Sequence, residues 1–505
     1  MITQKDTKDM KEVDIKHILL VACIMFMPFL VSTIYLLPIE QNILTVMPCN
    51  SDEEFYFNQL KSVLAYGHPL GYYGYAGSHA RIGHFGAWGS AWVLPYALVT
   101  ALTGLNYFSI SLTNHILFAL CILLAYKMSD KSVLKSAILL GLYFIPTFGY
   151  YMNSAMMEGL QFIIGIVSAL MLFYMSKNTY VDKYIIILIA LAFCYFCACK
   201  VMWIILWVPF FYLVTRGKGA TKQLLIVLLG TGSMMIVFYM LHALTASPYF
   251  ENAYFLERVA NMARSKNISE TLQFFVIEFK YHIWLTLNAE FSKIQSDLRV
   301  LVMIGGLAIT LYSLVYGIIE KTLSALIPLV VFGGYIIGTA ATYSGGGALL
   351  RTVFPGFVFA ITYIAMTNNK WLSVTLVAFL FVIAVHTIGM QMSNQYDDRV
   401  WYDENAQNEY TEKMNPISEI KVEQDSDAWS NTILWPAPLT TNSSLLYLPS
   451  GVGINWYKAL PEDVTSIHEG WIMLDSIYAD RINDLQKNGY DIYREENGSC
   501  LLKKK

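Results

Sequence analysis

The stretch NSDEEFYFNQLKSVLAYGHPLGYYGYAGSHARIGHFGAWGS, residues 50–90, follows directly on the first long apolar segment of the chain. It opens with three consecutive carboxylates, Asp52, Glu53 and Glu54, and continues through three histidines, an arginine and many tyrosines and glycines. A polar loop between apolar segments is typical of a site that handles a polar substrate at a lipid boundary. We therefore interpret residues 50–90 as the chemical face of a membrane-embedded enzyme.

The composition of the whole chain supports this setting. Of 505 residues, 56% are hydrophobic and 14% are charged, whereas soluble domains carry roughly 25% charged residues. The sequence therefore predicts a polytopic α-helical membrane protein, with membrane lipids as its surroundings. The formal net charge is -3, and the sequence has no Lys/Arg cluster beyond residues 503–505. We therefore expect no nucleic-acid partner.

Apolar segments of bilayer-spanning length predict about eleven transmembrane helices. The segment 91–104 is too short to cross, so we predict an interfacial or re-entrant helix there, within a first outer loop 38–106. The pair 184–198 and 200–215 has an alternative as one long tilted helix, which would invert the sidedness of everything after it. The predicted spans lie near residues 17–37, 107–126, 136–151, 157–176, 184–198, 200–215, 223–243, 299–319, 322–342, 350–366 and 371–391.

Positive charge between the spans predicts the orientation of the chain. With the spans placed as above, one side receives most of the short, positively charged segments, and the positive-inside rule makes that side the cytoplasm. The cations on it are Lys5, Lys8, Lys11, Lys16, Lys127, Lys131, Lys135, Lys177, Lys183, Arg216, Lys218, Lys222, Lys321 and Lys370. The opposite, extracytoplasmic side receives the loop 38–106 and a second long loop, 244–298. We therefore predict an inner or plasma membrane protein with a cytoplasmic N-terminus.

A change to polar, acidic composition predicts that a transmembrane module, residues 1–391, is followed by a small extracytoplasmic α/β domain, residues 392–505. Strands are expected at 445–448 and 471–474, and a helix at 477–487 with Gly489 as its stop. Two final strands flank a turn at Asn497-Gly498.

The acidic run after the first span has two interpretations, which are compatible. Asp52 or Glu53, partly shielded from water, is suited to act as a general base toward a hydroxyl. Alternatively the run caps a following helix, Phe55–Tyr66, with Ser51 or Asp52 at the N-cap and the glutamates at its positive end. Glu54 is expected near the substrate in either case.

Three isolated charges lie at predicted outer ends of later spans. Glu158 is a lone carboxylate in an apolar stretch, where an ionisable group indicates function unless it reaches interfacial water. Lys200 and Arg351 are the matching cations, and the guanidinium suits a phosphate. Either cation could instead extend to the interface for structural reasons.

The first loop holds further candidates for substrate contact. Arg81 and His84 add polar groups, and Tyr72 and Tyr73 suit either stacking against a sugar or an interfacial aromatic belt. The histidine spacings do not match a compact zinc site. We therefore predict no metal site and no cofactor, although a divalent metal is not formally excluded.

With these residues in view, the chain resembles the integral-membrane glycosyltransferases of the GT-C type, which use polyprenyl-phosphate sugars. The resemblance rests on the acidic pair Asp52-Glu53 directly after the first span and on HFGAWGSAWVLPYALVTALTG, residues 84–104. It also rests on Met156-Met157-Glu158-Gly159-Leu160 at the head of a later span, and on Arg351 in LLRTVFPGF. The order of the predicted parts, a membrane-spanning module followed by a soluble C-terminal domain, is also similar to that of these enzymes.

The resemblance implies a fold, a reaction and site residues. In such enzymes the first outer loop carries the base, a second acid heads a later span, and a late arginine holds the lipid phosphate. The triple Asp-Glu-Glu leaves open which residue is the base, and Glu158 stands where many relatives have Asp. Since the long signature of the oligosaccharide transferases is absent, we expect a single hexose, moved with inversion from undecaprenyl phosphate to a cell-surface glycan such as O-antigen lipopolysaccharide, a lipid or a protein.

Two rival functions remain open at this stage. A lipid or sugar transporter or flippase also suits about eleven spans, but the sequence shows no repeated halves and no paired Gly/Pro-broken spans. An O-antigen polymerase or ligase would place its chemistry in the loop 244–298, which carries Arg258, Arg264 and Lys266. Alanine at those arginines should then abolish activity.

Overall fold

The computed structural model of the chain describes residues 4–48, 51–67, 74–75, 90–245, 298–319, 323–342 and 349–390, isolated positions between 267 and 281, and the parts 417, 420–421, 428–436, 449–456, 459–496 and 498–505. At some of these positions, including Asp52 and Glu54, only the backbone is described. Most of the predicted loop 244–298 and the predicted boundary between residues 391 and 392 lie outside this part of the chain.

The N-terminal module is a helical bundle, numbered here along the described residues. Most helices lie within a few residues of the predicted spans, because long apolar runs bounded by polar residues set their length. The helices are α1 (Gln4–Leu36), α2 (Ser51–Tyr66), α3 (Leu94–Thr103), α4 (Ser109–Met128), α5 (Val133–Gly141), α6 (Pro146–Met152), α7 (Glu158–Lys177), α8 (Lys183–Cys199), α9 (Trp207–Val214), α10 (Ala220–Thr245), α11 (Leu298–Ile319), α12 (Ile327–Thr342), α13 (Leu349–Met366) and α14 (Lys370–Met390).

Five of the described helices are long and apolar enough to cross a membrane singly, and several shorter apolar helices accompany them. The count of about eleven spans stays a prediction. The prediction of one continuous spanning helix over residues 136–151 is wrong. This segment is broken, and α5 and α6 are bent by 84° relative to each other. Pro146 begins α6 and lacks the amide hydrogen that a continuing helix would need.

The predicted division at Lys200 is confirmed. Lys200 has extended backbone angles, φ -154° and ψ 119°, between α8 and a 3-10 helix, Val201–Leu206. The rings of Phe193 in α8 and Phe210 in α9 are 5.7 Å apart, whereas a straight helix would separate them by about 25 Å at 1.5 Å per residue. The chain therefore reverses at Lys200, and α8 and α9 form a hairpin.

Cations mark one end of the bundle. Arg216, after α9, donates to the carbonyl of Met175 at 2.9 Å, and Lys135, at the start of α5, donates to the carbonyl of Met366 at 2.7 Å. These contacts gather the C-terminal ends of α7 and α13 at the same end, where unpaired carbonyls attract positive charge. The N-terminal ends of α7 and α13 therefore lie together at the opposite end.

A six-stranded sheet organises the C-terminal part of the chain. Its strands are β1 (Gly74–Tyr75), β2 (Thr432–Trp435), β3 (Gly453–Trp456), β4 (Trp471–Asp475), β5 (Tyr490–Glu496) and β6 (Ser499–Lys504), in the order β1-β3-β2-β4-β6-β5. The strand at 471–474, the final hairpin and the Gly489 stop, with φ 90°, are confirmed. The predicted helix is partly 3-10, with α15 at Ile482–Lys487. The expected strand at 445–448 lies outside the described residues.

The segment predicted as the first outer loop, residues 38–106, is joined to this sheet, which the sequence did not predict. Strand β1 comes from that loop and pairs parallel with β3, with Tyr75 opposite Trp456. Helix α2 adds two hydrogen bonds, from the Tyr66 hydroxyl to the carbonyl of Ser450 at 3.2 Å and from the amide of Gly451 to the Ser62 hydroxyl at 3.1 Å. The loop and the C-terminal sheet therefore lie on the same side of the bundle.

Candidate functional site

Glu158 is the first residue of α7 and is almost fully buried, with 2% of its surface exposed. The interpretation that it reaches interfacial water is therefore wrong. Its Oε1 lies 3.2 Å from the Nε of Arg351, so the two residues form an ion pair. Among the described residues, its second oxygen, Oε2, has no hydrogen-bond partner. The carboxylate thus engages a cation on one side and has accepting capacity on the other.

Arg351 lies in the first turn of α13, and its side chain keeps 26% of its surface exposed. It also donates a hydrogen bond to the hydroxyl of Tyr151 in α6. Helices α7 and α13 pack closely below this point: the rings of Phe162 and Phe354 are 5.1 Å apart. This packing brings the first turns of the two helices, and hence Glu158 and Arg351, together.

Lys200 reaches the same place from the α8–α9 hairpin. Its side chain is 1% exposed, so the interpretation that it extends to water is wrong. The ammonium lies 6.0 Å from the ring centre of Tyr335, and it interacts electrostatically with both Glu158 and Arg351. The reversal at Lys200 is what turns its side chain into the bundle.

The cluster therefore brings a guanidinium and an ammonium to the same carboxylate. Burying a charge is costly unless it is paired. Guanidinium and ammonium groups bind phosphate well, so their position beside Glu158 is chemically suited to an anionic ligand.

Tyr96 and Asn114 form a layer behind Glu158 that sequence reasoning missed. The Tyr96 hydroxyl donates to Oδ1 of Asn114 at 2.8 Å and accepts the backbone amide of Leu160 in the first turn of α7. A side chain at Gly159 would collide with the Asn114 amide. The available signal was an asparagine within the apolar span 107–126, where a polar residue calls for a partner.

The acidic run lies in the first turn of α2, which begins at Ser51 and not at Phe55 as predicted. The run therefore does not precede the helix but forms its positive end, where carboxylates are favourable. Glu53 is fully buried. One turn further, the Tyr56 ring lies 5.0 Å from that of Trp92, so this face of α2 points into the protein.

The Glu53 face of α2 shares a hydrophobic cluster with the start of α7. Tyr56 and Trp92 belong to the same buried cluster as Met156 and Met157, which directly precede Glu158. Both acidic segments thus border the same hydrophobic cluster. For Asp52 and Glu54 it gives the backbone position alone.

The remaining predicted site residues, Tyr72, Tyr73, Arg81 and His84, lie outside the described residues, and so do Arg258 and Arg264. No group of three or more His, Cys, Asp or Glu side chains within the described ranges is arranged to hold a metal ion. The candidate site therefore consists of the Glu158, Arg351 and Lys200 cluster together with the acidic start of α2.

Comparison with solved structures finds membrane transferases. Over 96% of its length and 74% of theirs, the chain matches the archaeal oligosaccharyltransferase AglB from Archaeoglobus fulgidus in complex with an inhibitory peptide and a dolichol-phosphate, with a TM-score of 0.51 and 10% identity. The same enzyme in complex with Zn and sulfate gives a TM-score of 0.52 and 11% identity, over 93% of this chain and 72% of that one. ArnT from Cupriavidus metallidurans bound to undecaprenyl phosphate matches over 96% of this chain and 97% of its own, with a TM-score of 0.47 and 11% identity.

No family model matches the sequence, and no curated protein sequence matches it significantly. Because the sequence identities are only about 10%, the structural similarity shows the fold alone. The chain has the fold of the GT-C membrane glycosyltransferases.

Proposed function

We propose that this protein is an inverting membrane glycosyltransferase that moves a sugar, a single hexose, from a polyprenyl-phosphate donor to an extracytoplasmic acceptor. The observation that carries the proposal is the buried cluster of Glu158, Arg351 and Lys200 at one end of the bundle, which brings a guanidinium and an ammonium to the same carboxylate. A donor phosphodiester is an anion that guanidinium and ammonium groups bind well. The AglB structure in complex with dolichol-phosphate supports a lipid-phosphate ligand for this fold.

The reaction would proceed as one displacement. Asp52 or Glu53 accepts the proton of an acceptor hydroxyl while the oxygen forms a bond to the anomeric carbon. The bond from that carbon to the phosphate oxygen breaks, and the electron pair leaves with the lipid phosphate. Arg351 and Lys200 stabilise the developing negative charge, as preorganised donors do in a site shielded from water. A single displacement inverts the anomeric centre.

Glu158 would act as a positioning residue in this scheme. Its Oε1 forms an ion pair with the Nε of Arg351, and the Tyr151 hydroxyl accepts a hydrogen bond from the same guanidinium. Two contacts fix the plane of the guanidinium and so its approach to a phosphate. The other carboxylate oxygen, Oε2, is suited to accept a hydroxyl of the donor sugar.

The acceptor is proposed to be a cell-surface glycan such as an O-antigen, a lipid or a protein, reached in the periplasmic or extracellular space. In this arrangement the N-terminus is cytoplasmic and the C-terminal sheet faces outward with the Glu158 end of the bundle. A transporter or flippase would move the lipid without releasing its phosphate, and a polymerase or ligase would depend on Arg258 and Arg264. The assay below separates these functions.

The test is sugar transfer by the purified protein. Undecaprenyl-phosphate hexoses with a labelled sugar are supplied with glycans extracted from the cell envelope, and release of undecaprenyl phosphate is followed. If Asp52 or Glu53 is the base, its change to Asn or Gln lowers kcat by about 10²–10⁴-fold. The exposed Glu462 changed to Gln is the matched control and keeps the normal rate. Normal rates for both Asp52→Asn and Glu53→Gln would show that the base lies elsewhere.

A further inference from the structure

A cleft of about 610 Å³ lies at one end of the C-terminal sheet, and its lining includes none of Glu158, Arg351 and Lys200. It is formed where β4 begins, where β6 ends, and by the 3-10 helix Ala428–Asn431 before β2. Its volume is within the range of about 300–1,000 Å³ that is usual for small-molecule sites. The lining residues are Lys421, Trp429, Ser430, His468, Gly470, Trp471, Lys503, Lys504 and Lys505.

Positive charge dominates the cleft. Lys421, Lys503 and Lys504 are exposed along its wall, whereas Lys505 forms an ion pair with Asp491 at 3.2 Å. Asp491, the β5 residue opposite Lys503, is the ion-pair partner of Lys505. The described lining carries four lysines and no Asp or Glu, and this excess of lysines creates a positive potential that attracts an anion.

Aromatic rings form the other part of the lining. The half-buried Trp429 lies 5.8 Å from the ring of the exposed His468. Trp471 forms the floor, and the ammonium of Lys503, its partner across the β4–β6 pair, lies 5.1 Å from its ring centre. Rings of this kind present an apolar face that suits the CH face of a sugar.

The cleft is held by backbone contacts. The amide of Gly470 donates to the carbonyl of Trp429 at 2.7 Å, and the amide of Lys504 donates to the carbonyl of Gly470 at 2.8 Å. A side chain at Gly470 would collide with the carbonyl of Ser430, so this close approach requires glycine. The 3-10 helix that carries Trp429 is therefore fixed against the strand end that carries the lysines.

We propose that this cleft binds an acidic saccharide, with the sugar ring against Trp429 and its anionic group between Lys421 and Lys503. Neutral sugars would use the ring alone, whereas an acidic sugar also gains charge-assisted hydrogen bonds. If the saccharide is part of the transferase acceptor, the cleft is a second acceptor subsite outside the membrane, and this assignment rests on the proposed function. The binding of an acidic saccharide to the cleft is independent of the proposed function.

The test measures saccharide binding by the full-length protein in nanodiscs of neutral lipid. The probes are trigalacturonate and maltotriose, two α-1,4-linked trisaccharides that differ chiefly in their carboxylates. We expect trigalacturonate to bind more tightly, and Lys421→Gln, Lys503→Gln and Trp429→Ala each to weaken it by about tenfold, the size of one charge-assisted hydrogen bond. Lys487→Gln, at the end of α15 and outside the cleft, removes the same charge and should leave the affinity unchanged.

The possible outcomes separate the two proposals. Arg351→Gln should retain trigalacturonate binding even where transfer is lost, because Arg351 is not part of the cleft. Equal affinity for the two trisaccharides, or an equal loss in Lys487→Gln and Lys503→Gln, would overturn the cleft proposal. Loss of trigalacturonate binding when phosphatidylglycerol is added to the nanodisc would also overturn it, since lipid headgroups would then be the ligand.

Discussion

At the scale of single residues, Glu158 and Arg351 can be tested as a pair. Glu158→Ala would leave Arg351 and Lys200 without their carboxylate. We expect it to destabilise the protein by about 2–3 kcal/mol, less than the roughly 3–5 kcal/mol of a fully buried pair because Arg351 keeps some exposure. Equilibrium unfolding in detergent measures this change.

A double variant separates stability from function. Replacing both members by apolar residues of similar size, Glu158→Met with Arg351→Met, removes the two charges of the pair together and keeps Lys200, and such paired replacements are often neutral. We therefore expect the double variant to regain much of the stability lost in Glu158→Ala and yet to transfer no sugar. A double variant that transferred sugar normally would assign the pair a structural role only.

The sequence indicated these charged residues one by one but not their contact. Glu158, Lys200 and Arg351 each stood out because a charge in an apolar span needs a reason. Their contact depends on how three helices pack, which local pattern does not encode. Tyr96 and Tyr151 were missed because a tyrosine near a membrane boundary resembles an ordinary aromatic belt.

At the scale of helices, the α7–α13 packing sets the spacing of Glu158 and Arg351. A Cβ at Gly165 in α7 would lie 2.8 Å from the backbone carbonyl of Pro355 in α13, and a carbonyl in a helix cannot easily move. We therefore expect Gly165→Ala to push the two helices apart, to lower stability by about 1–3 kcal/mol and to reduce transfer. Thermal unfolding and the transfer assay measure these effects.

Gly232 in α10 provides the matched control, since nothing lies within 4 Å of a Cβ added there. Gly232→Ala should be neutral or stabilise by about 0.5–1 kcal/mol, because alanine favours a helix. If both alanine variants behaved alike, close packing between α7 and α13 would not control the site.

The helices also show where pattern reasoning reaches its limit. Apolar length located most of the spans, and Lys200 correctly divided 184–215. The bend between α5 and α6 was missed because a proline at residue 146 was read within a continuous apolar run. The start of α2 was placed too late because the acidic run was treated as a cap outside the helix.

At the scale of the whole molecule, the first outer loop and the C-terminal sheet act as one structural unit. Ser62→Ala with Tyr66→Phe removes the two hydrogen bonds that tie α2 to residues 450–451. We expect faster amide exchange in α2 and several-fold slower transfer, since Glu53 lies on the same helix. Tyr180→Phe with Ser132→Ala, at the other end of the bundle, is the control for the loss of two hydroxyls, since the Ser132 side chain does not cap α5. Unchanged exchange in α2 would contradict this coupling.

The pairing of the first loop with the C-terminal sheet could not have been predicted from local sequence. A two-residue strand at Gly74–Tyr75 has no detectable pattern, and its partner is almost four hundred residues away. The resemblance to the GT-C type did predict an outward loop and an outward domain, and therefore a shared side. It did not predict that their backbones pair.

The central claim is that the Glu158, Arg351 and Lys200 cluster receives the phosphate of an isoprenoid carrier. The most direct measurement is the affinity of the protein in nanodiscs for undecaprenyl phosphate, which requires neither the sugar nor the acceptor to be known. We predict binding that weakens by about tenfold or more in Arg351→Gln and is unchanged in Lys177→Gln, whose exposed ion pair with Asp130 lies at the far end of the bundle. Equal affinity in the wild-type protein and Arg351→Gln would contradict the claim.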